Sequence, residues 1–248
     1  MVDRLRVLIL GGYGTFGGRL AALLAGDARL HLIVAGRTLD RAREFCAALS
    51  PGATSEAASF DRDGDVRARI ADLRPDVVVD ATGPFQAYGA DPYRVVEACI
   101  AHRVHYLDLA DGSAFVAGVS AFDQAAREAG VFVQTGVSSF PVLTAAVVRR
   151  LARDMATVTH VTGGIAPSPY AGVGLNVIRA VAGYAGKPVP RLQDGRLGWG
   201  YPWTDTRLRT IRPPGYMTLR ARRFSLVDVP DLLAIPQLWP SLKSAWMG

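Results

Sequence analysis

The sequence predicts an α/β protein in which a doubly wound parallel sheet comes first and a smaller α+β region follows. Three observations carry this. Short, nearly continuous apolar runs alternate with longer amphipathic stretches over the first 135 residues. A glycine-rich turn directly follows the first apolar run. The texture changes after Gly136, and beyond Gly163 Gly, Pro, Trp and Tyr scatter without a clean period.

Taken in order, Leu5–Leu10 reads as a strand and Phe16–Ala25 as a helix, then His31–Ala35 as a strand and Leu39–Leu49 as a helix. Ala57–Phe60 is a weak strand before the helical pattern Asp63–Leu73. Val77–Asp80 is a strand, and Pro92–His102 is a helix opened by a proline. His105–Leu109 is a strand, Ser120–Ala129 a helix and Val131–Thr135 a sixth strand. Strands that are apolar throughout, rather than alternating, fit a parallel sheet covered by helices on both faces. Beyond the boundary, Pro141–Met155 reads as helix and Val158–Thr162 as strand. This places one domain at 1–135 and a second at 136–248. The chain closes on Leu238, Trp239, Pro240, Leu242, Trp246 and Met247, an apolar ending that suits docking on a partner or a chain cut from something longer.

Composition narrows the class. Half the residues are hydrophobic and a fifth charged, ordinary for a globular protein that buries its own core. The run Val7–Leu10 is too short for a signal-peptide core, and no stretch approaches the ~20 apolar residues of a membrane span, so a cytoplasmic protein is expected. Cys46 and Cys99 both fall in helical patterns and read as isolated buried thiols, in keeping with a reducing compartment. The scattered His and Cys residues have no metal-ligand spacing. Gly136-Val137-Ser138-Ser139-Phe140 lacks the second glycine of a nucleophile elbow.

The strongest chemical signal is Gly11-Gly12-Tyr13-Gly14-Thr15-Phe16-Gly17, which contains Gly12-x-Gly14-x-x-Gly17 between a strand and a helix. Gly12 allows the tight turn, Gly14 lets the backbone approach a pyrophosphate, and Gly17 lets the helix sit close to the strand. The helix N-terminus then meets the anion. This is the fingerprint of a Rossmann domain that binds a nicotinamide dinucleotide. The end of the second strand distinguishes the two nicotinamide cofactors. Binders of NAD place Asp or Glu there for the ribose 2′-hydroxyl, whereas this chain reads Ala35-Gly36-Arg37-Thr38, with Arg41 one turn later. Arg37 offers a planar fork for a 2′-phosphate, Thr38 a hydroxyl, and Arg41 a contact to adenine or phosphate, so NADP(H) is favoured. The alternative is that both arginines open a solvated helix. The fourth strand ends in Asp80-Ala81-Thr82-Gly83-Pro84-Phe85, where small residues would let the nicotinamide ribose pass and Phe85 would pack near the ring; a simple Gly-Pro turn is the other reading. The fifth and sixth strands bring Asp108, Asp111, Ser138 and Ser139 to the same carboxyl edge, each a site group or a helix cap. Tyr88, Tyr106, Asp111, Ser138 and Ser139 are candidate proton donors or orienters for a reduction. His102 and His105 flank the fifth strand and read as helix-end residues.

Residues 5–85 and 104–145 resemble the saccharopine dehydrogenase-like family of NADP-binding reductases. The resemblance rests on the glycine motif, Ala35-Gly36-Arg37, Ala81-Thr82-Gly83-Pro84-Phe85 and Tyr106-x-Asp108-x-x-Asp111-Gly112. The last departs from the family's Tyr-x-Asp-x-x-Gly-Glu, since here Ala110-Asp111-Gly112-Ser113 follows Leu109. The resemblance implies a Rossmann domain and then an α+β substrate domain whose sheet helps form dimers. It also implies hydride transfer to a small imine, amino-acid or enoyl-type substrate. Family members are longer than this chain, which therefore reads as a truncated member. A non-catalytic NADP-binding sensor or scaffold is the alternative.

The net charge of +6 is concentrated late. Residues 191–248 hold nine basic and four acidic side chains, with Arg191, Arg196, Arg207, Arg209, Arg212, Arg220, Arg222 and Arg223 interleaved with Trp199, Tyr201, Trp203 and Tyr216. Such a patch can face an anionic small substrate or carrier, or be a solvated face or interface. All but two of the basic residues in the whole chain are arginine, so a nucleic-acid partner is not expected.

Overall fold

The computed structural model describes residues 4–50, 52–166, 178 and 182–248. They form two compact units, one of Met1–Ala110 with Gly118–Val137, the other of Asp111–Ala117 with Ser138–Gly248. The boundary therefore differs from a single cut after residue 135, because the stretch that follows the fifth strand belongs to the second unit.

The first unit is a six-stranded sheet, built from β1 (Leu5–Leu10), β2 (Leu30–Gly36), β3 (Thr54–Ser59), β4 (Val77–Asp80), β5 (His105–Asp108) and β6 (Val133–Gln134). Every pairing is parallel, in the order β3-β2-β1-β4-β5-β6. The order reverses between β1 and β4, and a ligand crevice opens at the carboxyl ends of the strands at such a reversal. Successive residues of β1 and β4 point to opposite faces, and both faces are buried. Leu8, Leu10, Ile33, Val78 and Tyr106 pack on α3 (Val66–Leu73) and α4 (Arg94–Ala101), with Ile70, Val95 and Val96. Val7, Ile9, Leu32, Val34 and Val79 face α1 (Thr15–Leu24) and α2 (Leu39–Ala47). Each fully buried Leu, Ile or Val contributes roughly 1.5–3 kcal/mol. Arg6 secures the opposite edge, donating to the carbonyls of Leu73 and Arg74 at the end of α3 and to Glu56.

Several elements differ in extent from the sequence pattern. β3 begins at Thr54 rather than Ala57, because it is an edge strand: Thr54 and Ser55 pair with β2 while their side chains face solvent, and no apolar run is needed. A helix not expected from the sequence, α5 (Ser113–Val119), follows β5, and buries Phe115 and Val119 four residues apart. The stretch expected as one helix from Ser120 divides into a tight turn at Ser120–Phe122 and α6 (Asp123–Ala129).

In the second unit, the helix expected at Pro141–Met155 is confined to α7 (Thr144–Leu151), because Phe140 holds an extended backbone and breaks the pattern. β7 (His160–Gly163) pairs in parallel with β12 (Ser244–Met247). Two antiparallel hairpins lie between them in sequence, β8 (Val189–Gln193) with β9 (Arg196–Gly200) and β10 (Thr206–Ile211) with β11 (Leu219–Ser225). α8 (Asp231–Leu238) precedes β12. The apolar chain ending has an internal destination: Leu242, Ala245, Trp246 and Met247 pack with Val161, Val189, Leu226, Leu232 and Ile235 in this unit's core. No described helix is long and apolar enough to cross a membrane.

Candidate cofactor site

The glycine turn is shaped differently at each position. Gly12 donates its N–H to the carbonyl of Ala35 at 2.9 Å, and a Cβ there would lie 2.8 Å from the Ile9 carbonyl oxygen, so the turn tolerates no side chain. A Cβ on Gly17 would run into the backbone of Gly11 and Gly12, which is the close helix-to-strand approach the motif requires. Gly14 is extended, and among the described residues a Cβ there would meet just the Gly11 carbonyl oxygen, at 3.0 Å. Its open side is where a phosphate can come up to the main chain. Gly14 also begins α1 with no side-chain cap, and the first turn of that helix carries no acid. Thr15 and Phe16 lie in that first turn, and Phe16 is exposed. Uncapped amides at the positive end of a helix dipole suit an anion.

The end of β2 is organised by Tyr13. Its ring lies where a Cβ on Gly36 would fall, its hydroxyl accepts the N–H of Thr38 at 3.0 Å, and the Arg41 guanidinium sits 4.9 Å from its ring centroid. Thr38 and Arg41 are thus both tied to Tyr13. Arg37 is exposed and makes no ion pair among the described residues. These groups fit NADP(H): the Gly14 cradle and α1 amides would hold the pyrophosphate, and Arg37 would hold the 2′-phosphate.

Across the order reversal, β4 ends against the glycine turn, since a Cβ on Gly11 would lie 2.9 Å from the Ala81 carbonyl oxygen. Here Asp80 is fully buried and one carboxylate oxygen accepts the Thr82 hydroxyl at 2.6 Å and the Thr82 N–H at 3.0 Å. The Thr82 oxygen lies 2.6 Å from the Tyr88 hydroxyl, and the Arg62 guanidinium stands 3.2 Å from the Tyr88 ring centroid. Gly83 and Pro84 lead into a tight turn at Phe85–Ala87, and the rings of Phe85 and Tyr88 are 4.9 Å apart. Burial raises the Asp80 carboxyl above its ordinary range, opposed by the Thr82 bonds and the Arg62 charge. Burial also raises the Tyr88 phenol, with the Asp80 charge adding to it.

Asp108 is the register partner of Asp80 on β5 and is equally buried. One of its oxygens accepts three donors, Gly136 N–H at 2.7 Å, Ala110 N–H at 2.9 Å and the Thr135 hydroxyl at 3.0 Å. Burial still pushes its carboxyl up to about 6. The second oxygens of Asp80 and Asp108 have no hydrogen-bond partner among the described residues.

Of the expected donors, the structure places Tyr106 inside the core on the α3–α4 face, fully buried, because it alternates inward two residues before Asp108. Asp111, Ser138 and Ser139 belong to the second unit. Neither serine caps a helix through its side chain, and α7 begins only at Thr144. His105 stacks on Phe132 and accepts its N–H, at the amino edge of the sheet. A cleft of about 440 Å³ at that same edge, lined by Arg74, Asp76, His102 and Arg103 among others, lies opposite the glycine turn. Sequence reasoning missed Arg62, whose role comes from the crossover after β3. It also passed over Asp80, whose only signal was a charge closing a valine run.

A saccharopine dehydrogenase (L-Glu forming) structure from Saccharomyces cerevisiae matches 98% of this chain and 54% of its own, with a TM-score of 0.67 at 17% identity, which establishes a shared fold. The NADP(+)-dependent shikimate dehydrogenase of Methylobacillus flagellatus is 42% identical over 78 residues, 31% of this chain and 26% of that protein. The chain spans about half the length of the first and about a quarter of the second. Residues 7–133 match the saccharopine dehydrogenase NADP binding domain, about half of the sequence, from within β1 to the start of β6, and the chain belongs to that family, with NADP(H) as its cofactor.

Proposed function

We propose that this chain is an NADP(H)-dependent oxidoreductase that transfers a hydride between the nicotinamide and a small substrate of the imine, amino-acid or enoyl type. The observation that carries the cofactor half is the end of β2, where an exposed Arg37, without an ion pair among the described residues, stands in the position a carboxylate takes for NAD. The bound cofactor supplies the hydride. The chain's own residues bind and orient it: the Gly14 cradle and α1 amides hold the pyrophosphate, Arg37 selects the 2′-phosphate, and Thr82 and Gly83 flank the nicotinamide ribose. The family resemblance and the basic second unit support a small, anionic substrate received by that unit. The family resemblance by itself also supports a homodimer, checked by analytical ultracentrifugation.

The test is the thermal shift of the chain with NADPH and with NADH. A ligand at a hundred times its Kd adds about 2.7 kcal/mol of stability. NADPH should raise the melt clearly more than NADH, and Arg37→Asp should erase the difference. Equal shifts would refute the Arg37 assignment. If NADPH stabilises but no extract or candidate acceptor oxidises it, the sensor reading replaces the enzyme.

A further inference from the structure

Helices α3 and α4 end at one cleft on the amino edge of the parallel sheet, and each is followed by an arginine with left-handed backbone, Arg74 at φ 44° and Arg103 at φ 56°. Glycine is the ordinary residue at such a helix end, because a Cβ crowds the neighbouring carbonyl. Neither arginine side chain is needed to close its helix. The Arg74 N–H returns to the Ile70 carbonyl, and the carbonyls of Leu73 and Arg74 already accept the Arg6 guanidinium. At α4 the N–H groups of Arg103 and Val104 reach back to the carbonyls of Ile100 and Cys99, a pair of bonds that finishes a helix with backbone alone. Among the described residues neither guanidinium has a hydrogen bond or an ion pair. Both line the cleft, whose volume is about 440 Å³. Small-molecule sites run to roughly 300–1,000 Å³. His102 and His105 line it too. The Nδ1 of His105 accepts the Phe132 N–H, so the neutral ring carries its proton on Nε2 as a donor. Asp76 is the one acid on the wall, and one of its oxygens accepts the Arg6 N–H at 2.7 Å. Ile70, Pro75 and Val104 give the cleft an apolar floor.

We infer that this cleft binds a small hydroxylated phosphate monoester, at a second site on the edge of the sheet opposite the glycine turn. Arg74 and Arg103 take the phosphate oxygens, since a guanidinium presents a planar fork of donors that matches them. The Nε2–H of His105 supplies a further donor. The second oxygen of Asp76 accepts a hydroxyl of the ester, and the carbon chain lies over Ile70, Pro75 and Val104. A phosphate monoester carries nearly two negative charges at neutral pH, which two guanidinium groups match. A carboxylate would leave one of them unanswered. The charges converge on a cleft the size of a small molecule, so the occupant is a metabolite rather than a polymer. The site is independent of the hydride chemistry and stands whether or not the chain turns over a substrate.

The experiment is isothermal titration calorimetry of the full chain with ribose 5-phosphate, inorganic phosphate and ribose, with a thermal melt of every variant. Ribose 5-phosphate should bind at one site, more tightly than inorganic phosphate, and ribose should give no binding heat. Arg74→Gly and Arg103→Gly should each weaken ribose 5-phosphate by roughly tenfold, the loss of a charge-assisted contact. Glycine suits the left-handed backbone at both positions, so these variants and the double variant should melt at or above the parent temperature. Arginines that merely hold the helix ends would instead lower the melt when replaced. Arg37→Asp should leave the ribose 5-phosphate affinity unchanged. Four results would each overturn the inference: no binding heat from either phosphate compound, an affinity indifferent to both glycine variants, a lowered melt in the double variant, or a loss of binding in Arg37→Asp, which would move the ester to the cofactor site. Inorganic phosphate bound as tightly as ribose 5-phosphate would overturn the assignment of an ester.

Discussion

A carboxyl that accepts three donors on one oxygen and none on the other is an uneven compromise, and Asp108 shows what it implies for stability. Its folded pKa of about 6 is above the ordinary 3.8. A raised carboxyl contributes stability that is fully present below pH 3.8 and is lost as the pH climbs through 6. Each pKa unit is worth about 1.4 kcal/mol. Asp108→Asn keeps an amide oxygen for the three donors and removes the charge. The variant should therefore lose less stability than the parent between pH 4 and 7 in urea titrations, and should match or exceed it at pH 7. A variant less stable by several kcal/mol at pH 7 would show that the ionised form is needed. Asp231, also buried and pushed up to about 6, acts in the same window, so the flattening should be partial.

At the scale of elements, the glycine turn and the second unit's hairpins offer separate tests. Gly17→Ala forces a Cβ into the backbone of the turn, an overpacking worth about 1–3 kcal/mol, and should remove the NADPH-induced thermal shift as well as lower the melt. A retained NADPH shift would place the pyrophosphate elsewhere. In the second unit, Asp194-Gly195 joins β8 to β9 with both residues at positive φ, the two-residue turn that matches strand twist. Gly195→Ala should cost about 1 kcal/mol or somewhat more by chemical denaturation. That dipeptide was a legible hairpin signal in a region read as patternless. It was overlooked because Val189-Pro190-Arg191-Leu192-Gln193 does not alternate cleanly. The first unit was legible for the opposite reason: β1, β2 and β4 are buried on both faces and must be apolar throughout. The edge strand β3 and helix α5 escaped, one because an edge needs few apolar residues, the other because Ser113–Val119 is too short to display a helical period. The cofactor end of the site was readable because glycine sterics fix positions by themselves. Tyr88 was named as a donor but its connection to Asp80 was invisible, since a hydrogen-bonded line depends on how a loop returns to its strand.

At the scale of the whole molecule, the two units do not divide the chain at one point. Asp111–Ala117 leaves the first unit, joins the second, and the chain then returns at Gly118 to build α6 and β6. In the second unit Ser113 donates a hydrogen bond to Asp228, more than a hundred residues later. A chain ending after Val137 should therefore carry a strip whose partners are missing. It should bind a hydrophobic dye through Phe115 more strongly than the full chain does; equal dye binding would mean the strip folds without its unit. Exchanging parts between relatives meets the same constraint. A hybrid spliced once, after the sixth strand, inherits Ser113 from one parent and Asp228 from the other, so compatible parents are those that agree at this pair. Where they disagree, the graft has to be made as an insert with two seams, taking the short strip along with the unit it serves.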